Sequence, residues 1–411
     1  MTLTQTGHGS PLARIAFSVL LASAACAASA QNSQPFKIGL ATDMSSGYSD
    51  LAGKYSVAAA EMAIEDFGGK VLGRKIELLT ADHQLKPTVG SAIVTEWFDR
   101  DGVSAVFNLT GSSIALAANA IVKDRPTKAI VNTGASSTDL NGKACLPNAV
   151  HWGTDFYAYA FSTVKYVSQG AGKTWYVMLQ DTAAAAPARA AAVAGIQKGG
   201  GKLLGEVKVP VNSGDVSSFV LQAQAAKAQN VVVGFGATDF VNIMKTARQF
   251  GLPQSGITFV QGAGMYQSDI TAMGLDLAAG LTFVTPFYAE MNDEARAWSR
   301  RFLAKTGRYP SHSHVADYEG ITHYLKAVQK IGSDDATKVV PAMRDLPVNS
   351  FALKEGRIRE NNQLIRPLYL GRVKAPSQSR NIGDFVDLIA TIPAKEAYAP
   401  IETSECPLVR K

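Results

Sequence analysis

Apolar β-like runs and amphipathic helical patterns alternate along almost the whole of this 411-residue chain, and that alternation leaves few folds open. Lys37–Thr42 has the pattern of a buried strand. Ser49–Phe67 has that of a helix, with Leu51, Tyr55, Ala58 and Met62 at three-to-four spacing and Gly68-Gly69 as its stop. Strands at Ile76–Ala81, Ala105–Leu109 and Ala129–Asn132 alternate with helices at Thr88–Arg100 and Ser112–Lys123. This order predicts parallel strands joined by right-handed crossovers. A second series opens with a helix at Phe156–Val167. Strands at Thr174–Leu179, Lys202–Val209, Asn230–Gly234, Thr258–Gln261 and Leu281–Thr285 follow, with helices at Ala183–Lys198, Ser217–Ala228 and Thr238–Phe250 between them. Each series is long enough for its own core, so the expected fold is α/β, with two doubly wound parallel-sheet lobes.

The remainder changes character. Asp293–Lys305, Val315–Ile331 and Ala336–Arg344 are three helical patterns, followed by short β-like runs at Leu353–Arg357 and Leu368–Val373. Helices after the second series need a sheet to cover, and the first lobe has too few of its own for two faces. The chain is therefore expected to cross between lobes three times, near Thr154, Thr285 and Asn349. That assigns residues 35–153 plus 286–348 to one lobe, and 154–285 plus 349–411 to the other, with the C-terminal tail returning towards the first.

Three apolar runs end in small polar clusters just before a helical pattern. They are Ile38–Met44 into Ser45-Ser46-Gly47, Ala105–Leu109 into Thr110-Gly111-Ser112-Ser113, and Ala129–Val131 into Asn132-Thr133-Gly134-Ala135-Ser136-Ser137. Such loops lie at the carboxyl ends of parallel strands, where ligands bind. Small residues admit a ligand to the backbone, and the following helix offers free N–H groups and partial positive charge. Three in one lobe suggest a cradle for something small and anionic, although each alone also suits an ordinary βα turn with an N-cap.

The N-terminus reads as a targeting segment. Arg14 precedes the apolar Ile15–Ala25, and Ala28-Ser29-Ala30 fits small-x-small cleavage, so residues 1–30 are expected to be a signal peptide and Gln31 the mature start. Cys26 follows Ser-Ala-Ala, which resembles a lipoprotein box without its usual Leu, and ordinary cleavage is favoured. Export leaves Cys145 and Cys406. Two thiols in an oxidising compartment are expected to pair, the alternative being two separately buried thiols. A formal net charge of +6 with no block of basic residues is no nucleic-acid footprint.

Catalytic and metal signals are weak. The chain carries no evident nucleophile elbow, P-loop or H-E-x-x-H run. His312-x-His314 lacks Cys or carboxylate partners at ligand spacing, and Pro310-Ser311 looks like a helix entry with both histidines in its first turn; His314 could still face a cleft. Asn108-Leu109-Thr110 fits a glycosylation triplet, but Leu109 belongs to a buried strand. Asp155, Asp181 and Asp239 lie near strand ends, where caps and hinge residues are common; Asp155, which follows a crossing, is best placed to matter and counts among the expected ligand-binding residues.

Across nearly all of the mature chain, the sequence resembles the leucine/isoleucine/valine-binding group of periplasmic substrate-binding proteins that serve ABC importers. The resemblance rests on Met44-Ser45-Ser46-Gly47, Ala63–Gly69, Val71–Leu78, Gly111-Ser112-Ser113 and Thr133–Ser136, in that order. Asp82-His83-Gln84 with Lys86, and Cys145 with Glu405–Leu408, look like a subgroup that binds organic or aromatic acids. The resemblance implies two lobes hinged on three crossings and a closing cleft. It also implies a carboxylate ligand held by Ser112, Ser113, Gly134, Ala135 and Ser136 beside Thr110. The implied partners are the ligand and an inner-membrane ABC permease; a periplasmic monomer without cofactor or catalytic activity is expected.

Two departures bear on the ligand. The acid that meets an amino acid's ammonium in this group falls on Ala263, within Gln261–Tyr266. The aromatic residue expected after Thr174–Leu179 is replaced by Gln180-Asp181-Thr182-Ala183-Ala184-Ala185. A buried ammonium without a carboxylate is costly. An alanine such as Ala184 opens volume, and Tyr48, Phe235 and Tyr266 offer rings. An aromatic or other organic acid is thus the leading ligand. Branched-chain or aromatic amino acids come second, and a sensor for a membrane receptor is the non-transport alternative.

Overall fold

The computed structural model describes residues 34–170, 172–182 and 184–410, with Met1 and Thr2; the rest of the expected signal peptide, including Cys26, lies outside the described residues. The first lobe is built from β1 (Phe36–Thr42), α1 (Gly53–Asp66), β2 (Lys70–Val71), β3 (Arg74–Asp82), α2 (Pro87–Asp99), β4 (Ala105–Asn108), α3 (Ser112–Val122), β5 (Ala129–Asn132) and β6 (Ala149–His151). Its six strands lie in the order β2-β3-β1-β4-β5-β6, parallel except for the β2–β3 hairpin.

The central strand β1 is buried on both faces, as a parallel strand between helical layers must be. Phe36, Ile38 and Leu40 face the layer that holds Tyr324, Leu325 and Val328. Ala41, with Val106 and Ile130, faces Val94, Trp97 and Ile114. Helix α2 comes so close that a Cβ on Gly39 would stand 2.4 Å from the Trp97 ring, which only glycine avoids.

The second lobe begins at a π-helical turn, Tyr157–Phe161, that runs into α4 (Ser162–Gln169). It continues through β7 (Thr174–Gln180), α5 (Ala185–Lys198), β8 (Lys202–Val209), α6 (Ser217–Ala225), β9 (Asn230–Val233), α7 (Ala237–Gln249), β10 (Thr258–Gln261), α8 (Gln267–Met273), α9 (Leu275–Ala278) and β11 (Thr282–Thr285). The chain then returns to the first lobe as α10 (Asp293–Thr306), which packs on α1, and as α11 (His312–Ile331) and α12 (Ala336–Asp345), whose apolar faces join the core around β1. A small hairpin, β12 (Arg357–Ile358) with β13 (Leu364–Ile365), follows, and β14 (Leu368–Val373) and β15 (Val386–Ile392) add antiparallel edges to the second sheet. That sheet has the order β15-β14-β11-β10-β9-β7-β8.

The third crossing differs from its expected place at Asn349. Val348, Leu353, Ile358 and Leu364 pack in the first-lobe core, and Gln363 bridges to His151, so the chain leaves this lobe only at Arg366. Nothing local in those apolar residues says which of two sheets they will cover. The expected strand at Leu353–Arg357 shrinks to Arg357–Ile358, because Gly356 and Val348 close a turn on each other. At the crossing, the Arg366 guanidinium donates to both oxygens of buried Glu319, at 2.7 and 3.2 Å, and to the Ala352 carbonyl. Cys145 and Cys406 form the expected disulfide, 261 residues apart in sequence, which returns the tail to the first lobe. No helix among the described residues is long and apolar enough to cross a membrane.

Candidate functional site

Between the lobes lies a cavity of about 290 Å³, at the small end of ligand sites, and the strand-end loops build it. Each loop is shaped by a side-chain brace. After β1, the Asp43 carboxylate accepts the N–H groups of Ser46 (3.0 Å) and Tyr48 (2.8 Å) and the Ser46 hydroxyl (2.7 Å). This Asx-type folding turns Tyr48 into the cavity. Asp82, at the end of β3, accepts Met44 N–H (3.0 Å) and the Ser45 hydroxyl (2.5 Å), so it braces the same loop.

After β4 the chain turns through two left-handed residues, Asn108 (φ 71°) and Leu109 (φ 60°), before Gly111 (φ 99°). Asparagine accepts that conformation readily; leucine does not, so the surroundings must hold it. The Asn108 carboxamide does so. Its oxygen accepts Thr110 N–H (3.1 Å) and the Thr110 hydroxyl (2.5 Å), and its nitrogen donates to Ser56 and to both oxygens of Asp317 (3.1 Å each). Asp317, on α11, also accepts the Thr133 hydroxyl from the next loop. Burial holds its carboxyl up at about 6, with the hydroxyl and amide donors working against that rise. This buried knot, Ser56, Asn108, Thr110, Thr133 and Asp317, joins the two cradle loops from behind.

The cradle itself is Ser112, Ser113 and Ser136, with Thr110, Gly111, Gly134 and Ala135 around them on the cavity wall. Helix α3 starts at Ser112 with no side chain capping it, so its first amides and partial positive charge face the cavity. The Gly134 and Ala135 amides, expected to hold a carboxylate, are already engaged. Gly134 N–H donates to the Asn108 carbonyl at 3.0 Å, and Ala135 N–H to the Asn132 carboxamide at 3.2 Å. The strand-end asparagines have consumed these donors, which leaves the serines.

The opposite wall comes from the second lobe: Leu179 to Thr182 at the end of β7 and just beyond it, Ala184, Ala185 and Ala188 at the start of α5, Gly234 to Gly236 after β9, and Ala263 with Tyr266 after β10. Phe235 serves two roles, since it lines the cavity and packs in the second-lobe core. Phe156 from the first crossing, and Leu51, Leu85 and Pro87 from the first lobe, complete the wall. These apolar residues carry no motif and were not among the expected site residues. Asp181 is the only charged residue among the described residues lining the cavity; it is exposed and lies 3.6 Å from Lys208.

Asp155 does not line the cavity. It is buried, and it accepts hydrogen bonds from Ala158 N–H (2.8 Å), Gln363 (2.6 Å) and Asn141 (3.2 Å). It therefore ties the first crossing to the β13 hairpin, because a carboxylate at this depth needs all its donors. His314 is likewise away from this cavity: it accepts Ser311 N–H at 3.0 Å and stacks on Phe302. His312 packs its ring 4.4 Å from that of Tyr266. Among the described residues, no cluster of three or more His, Cys, Asp or Glu is placed to hold a metal ion.

The lobes touch around the cavity. Tyr48 donates to the Gln180 side-chain carbonyl at 2.5 Å, Gln267 N–H to the Ser311 hydroxyl at 2.9 Å, and Leu51 and Ala52 pack against Ala237. Two sheets on three crossings, closed over one small cavity at their strand ends, define a solute-binding architecture. Residues 35–380 match the family model for periplasmic binding proteins, and the chain belongs to that family: it is a periplasmic solute-binding protein of ABC transport. A periplasmic binding protein from Burkholderia mallei is 36% identical, with a TM-score of 0.88, covering 92% of this chain and 99% of its own. A branched-chain amino acid ABC transporter periplasmic ligand-binding protein from Burkholderia xenovorans LB400 is 38% identical, with a TM-score of 0.80, over 91% of this chain and 99% of its own. A solute-binding protein from Rhodopseudomonas palustris BisB5, in complex with 3,4-dihydroxybenzoic acid, shares the fold at 22% identity and TM-score 0.80, over 88% of this chain and 98% of its own. No curated protein matches the sequence.

Proposed function

We propose that the protein captures a small aromatic carboxylate between its lobes and delivers it to an ABC permease. The observation that carries this reading is the division of the cavity's chemistry. One wall offers serine hydroxyls and an uncapped helix start, which bind a carboxylate without a counter-charge. The other wall presents alanine, leucine and aromatic side chains beside Gln180, Asp181 and Thr182, and Ala263, the position where the family resemblance puts the acid that meets an ammonium, carries no charge. The solute-binding proteins of the same fold in complex with benzoate and with 4-hydroxybenzoate accord with this. The B. xenovorans relative, a branched-chain amino acid ABC transporter ligand-binding protein, favours a second reading, a branched-chain amino acid.

A thermal-shift screen with benzoates, phenylpropenoates, keto acids and amino acids separates the two. Stabilisation by leucine and by no acid lacking an amino group would overturn the proposal. Ser112→Ala should weaken binding of a stabilising carboxylate by about 1–3 kcal/mol in calorimetry. Unchanged affinity would place the carboxylate elsewhere.

A further inference from the structure

The second-lobe wall carries a chain of hydrogen bonds whose direction is fixed. Asp239, buried at the start of α7, accepts on one carboxylate oxygen from Asn212 N–H (2.9 Å) and from the Gln180 carboxamide nitrogen (2.8 Å). A carboxylate can only accept, so Gln180 must turn its NH₂ towards Asp239 and its carbonyl away. That carbonyl accepts the Tyr48 hydroxyl across the cleft, at 2.5 Å. Burial holds the Tyr48 phenol well above its ordinary value, with Asp239 adding to the rise, so the phenol keeps its proton. That one proton is committed to Gln180. The Tyr48 oxygen is left with its lone pairs, and both Tyr48 and Gln180 line the cavity.

We propose that the Asp239–Gln180–Tyr48 chain makes Tyr48 a hydrogen-bond acceptor towards the ligand, so that the site selects aromatic acids bearing a ring hydroxyl. This rests on the aromatic-carboxylate reading and adds a specificity determinant to it. Tyr48 touches the ligand; Gln180 and Asp239 are positioning residues that set which way its proton points. A hydroxyl on the ring satisfies the acceptor. An unsubstituted ring leaves a buried lone pair without a donor, and a methoxy group sets acceptor against acceptor.

The test is a calorimetric series on the purified protein with benzoate, 3- and 4-hydroxybenzoate and 4-methoxybenzoate. The better hydroxybenzoate should bind about tenfold more tightly than benzoate, with methoxybenzoate weakest. Tyr48→Phe should reduce that ratio to about one. It also removes a contact between the lobes, so all affinities can fall together; the ratio is what counts. Gln180→Met frees the Tyr48 hydroxyl to donate or to accept, so methoxybenzoate gains a donor and the hydroxy-over-methoxy ratio should fall towards one. Asp239→Ala lets the Gln180 amide rotate and should narrow the gap without reversing it. Loss of general packing would leave the ligand ratios unchanged. Tight benzoate binding with no hydroxyl preference, or an undiminished hydroxy-over-methoxy ratio in Gln180→Met, overturns the inference and spares the carboxylate reading. If no benzoate binds at all, both fall.

Discussion

Asp269 stores destabilising free energy behind the cavity wall, next to Gly236, and Asp269→Asn should release it at neutral pH. The carboxyl is 1% exposed. One oxygen accepts Ala237 N–H at 3.1 Å and so holds Ala237 in its left-handed conformation (φ 61°). The other oxygen is buried without a partner, against Gly236 and the ring of Tyr266. Burial pushes the carboxyl up to about 7 from 3.8, with the Ala237 amide opposing. In the unfolded chain it ionises near 3.8, whereas folding holds the proton on until about 7. Its contribution to stability is therefore complete below about pH 4 and is lost as the pH rises to about 7. A gap of about three pH units corresponds to at most about 4 kcal/mol. Asparagine keeps the acceptor for Ala237 and never ionises, so variant and wild type should be equally stable at pH 4. By pH 8 the variant should lead by up to about 4 kcal/mol. Urea unfolding of the ligand-free proteins at several pH values measures this. His312 and His314, each pushed down to about 3 by burial, lose stabilisation as the pH falls below about 6.5. They act oppositely over the same range, so the difference between the two proteins is diagnostic and neither curve alone is. A lead that does not change with pH, or a variant that is weaker at pH 8, refutes the reasoning.

Other perturbations probe the site and its frame. Gly134→Ala would place a Cβ 2.7 Å from the Thr110 hydroxyl and 3.0 Å from the Asn108 carbonyl. It should cost about 1–3 kcal/mol of stability and most of the ligand affinity; a protein that still binds and melts normally would show that the loops give way freely. Ala263→Glu sets a second negative charge against a bound carboxylate and should weaken benzoate by about 100-fold, with calorimetry on the folded variant as the check. Removing the disulfide with Cys145→Ser and Cys406→Ser opens a loop of 261 residues and should cost about 5 kcal/mol by chain entropy, read from urea midpoints under oxidising conditions.

What the sequence discloses and what it hides divide along a physical line. Strands β1, β4 and β5 declare themselves because a strand buried on both faces has to be apolar throughout, and their loops because Gly, Ser and Thr mark where it ends. The cavity-lining position of Ser112, Ser113 and Ser136 follows from that local grammar. The consumption of the Gly134 and Ala135 amides does not follow directly, though for Ala135 a signal was present: Asn132 ends its strand, and a strand-end asparagine side chain habitually takes a nearby backbone N–H, whereas Gly134 goes to the main-chain carbonyl of Asn108. The knot behind the cradle left no such signal. Asp317 lies 209 residues beyond Asn108 and 184 beyond Thr133, so its role exists only once α11 has docked on the first sheet. The same holds for the third crossing, where Leu353, Ile358 and Leu364 are plainly apolar but equally suited to either lobe. Asp155 misled for the complementary reason. A polar residue just after a crossing is placed for either cleft or hinge, and only the arrival of Gln363 from 208 residues away decides for the hinge. The small polar residues that line the cavity are therefore written locally, in loops at the strand ends. The rigidity that makes those loops a binding site is written in pairs too distant in sequence to recognise as pairs.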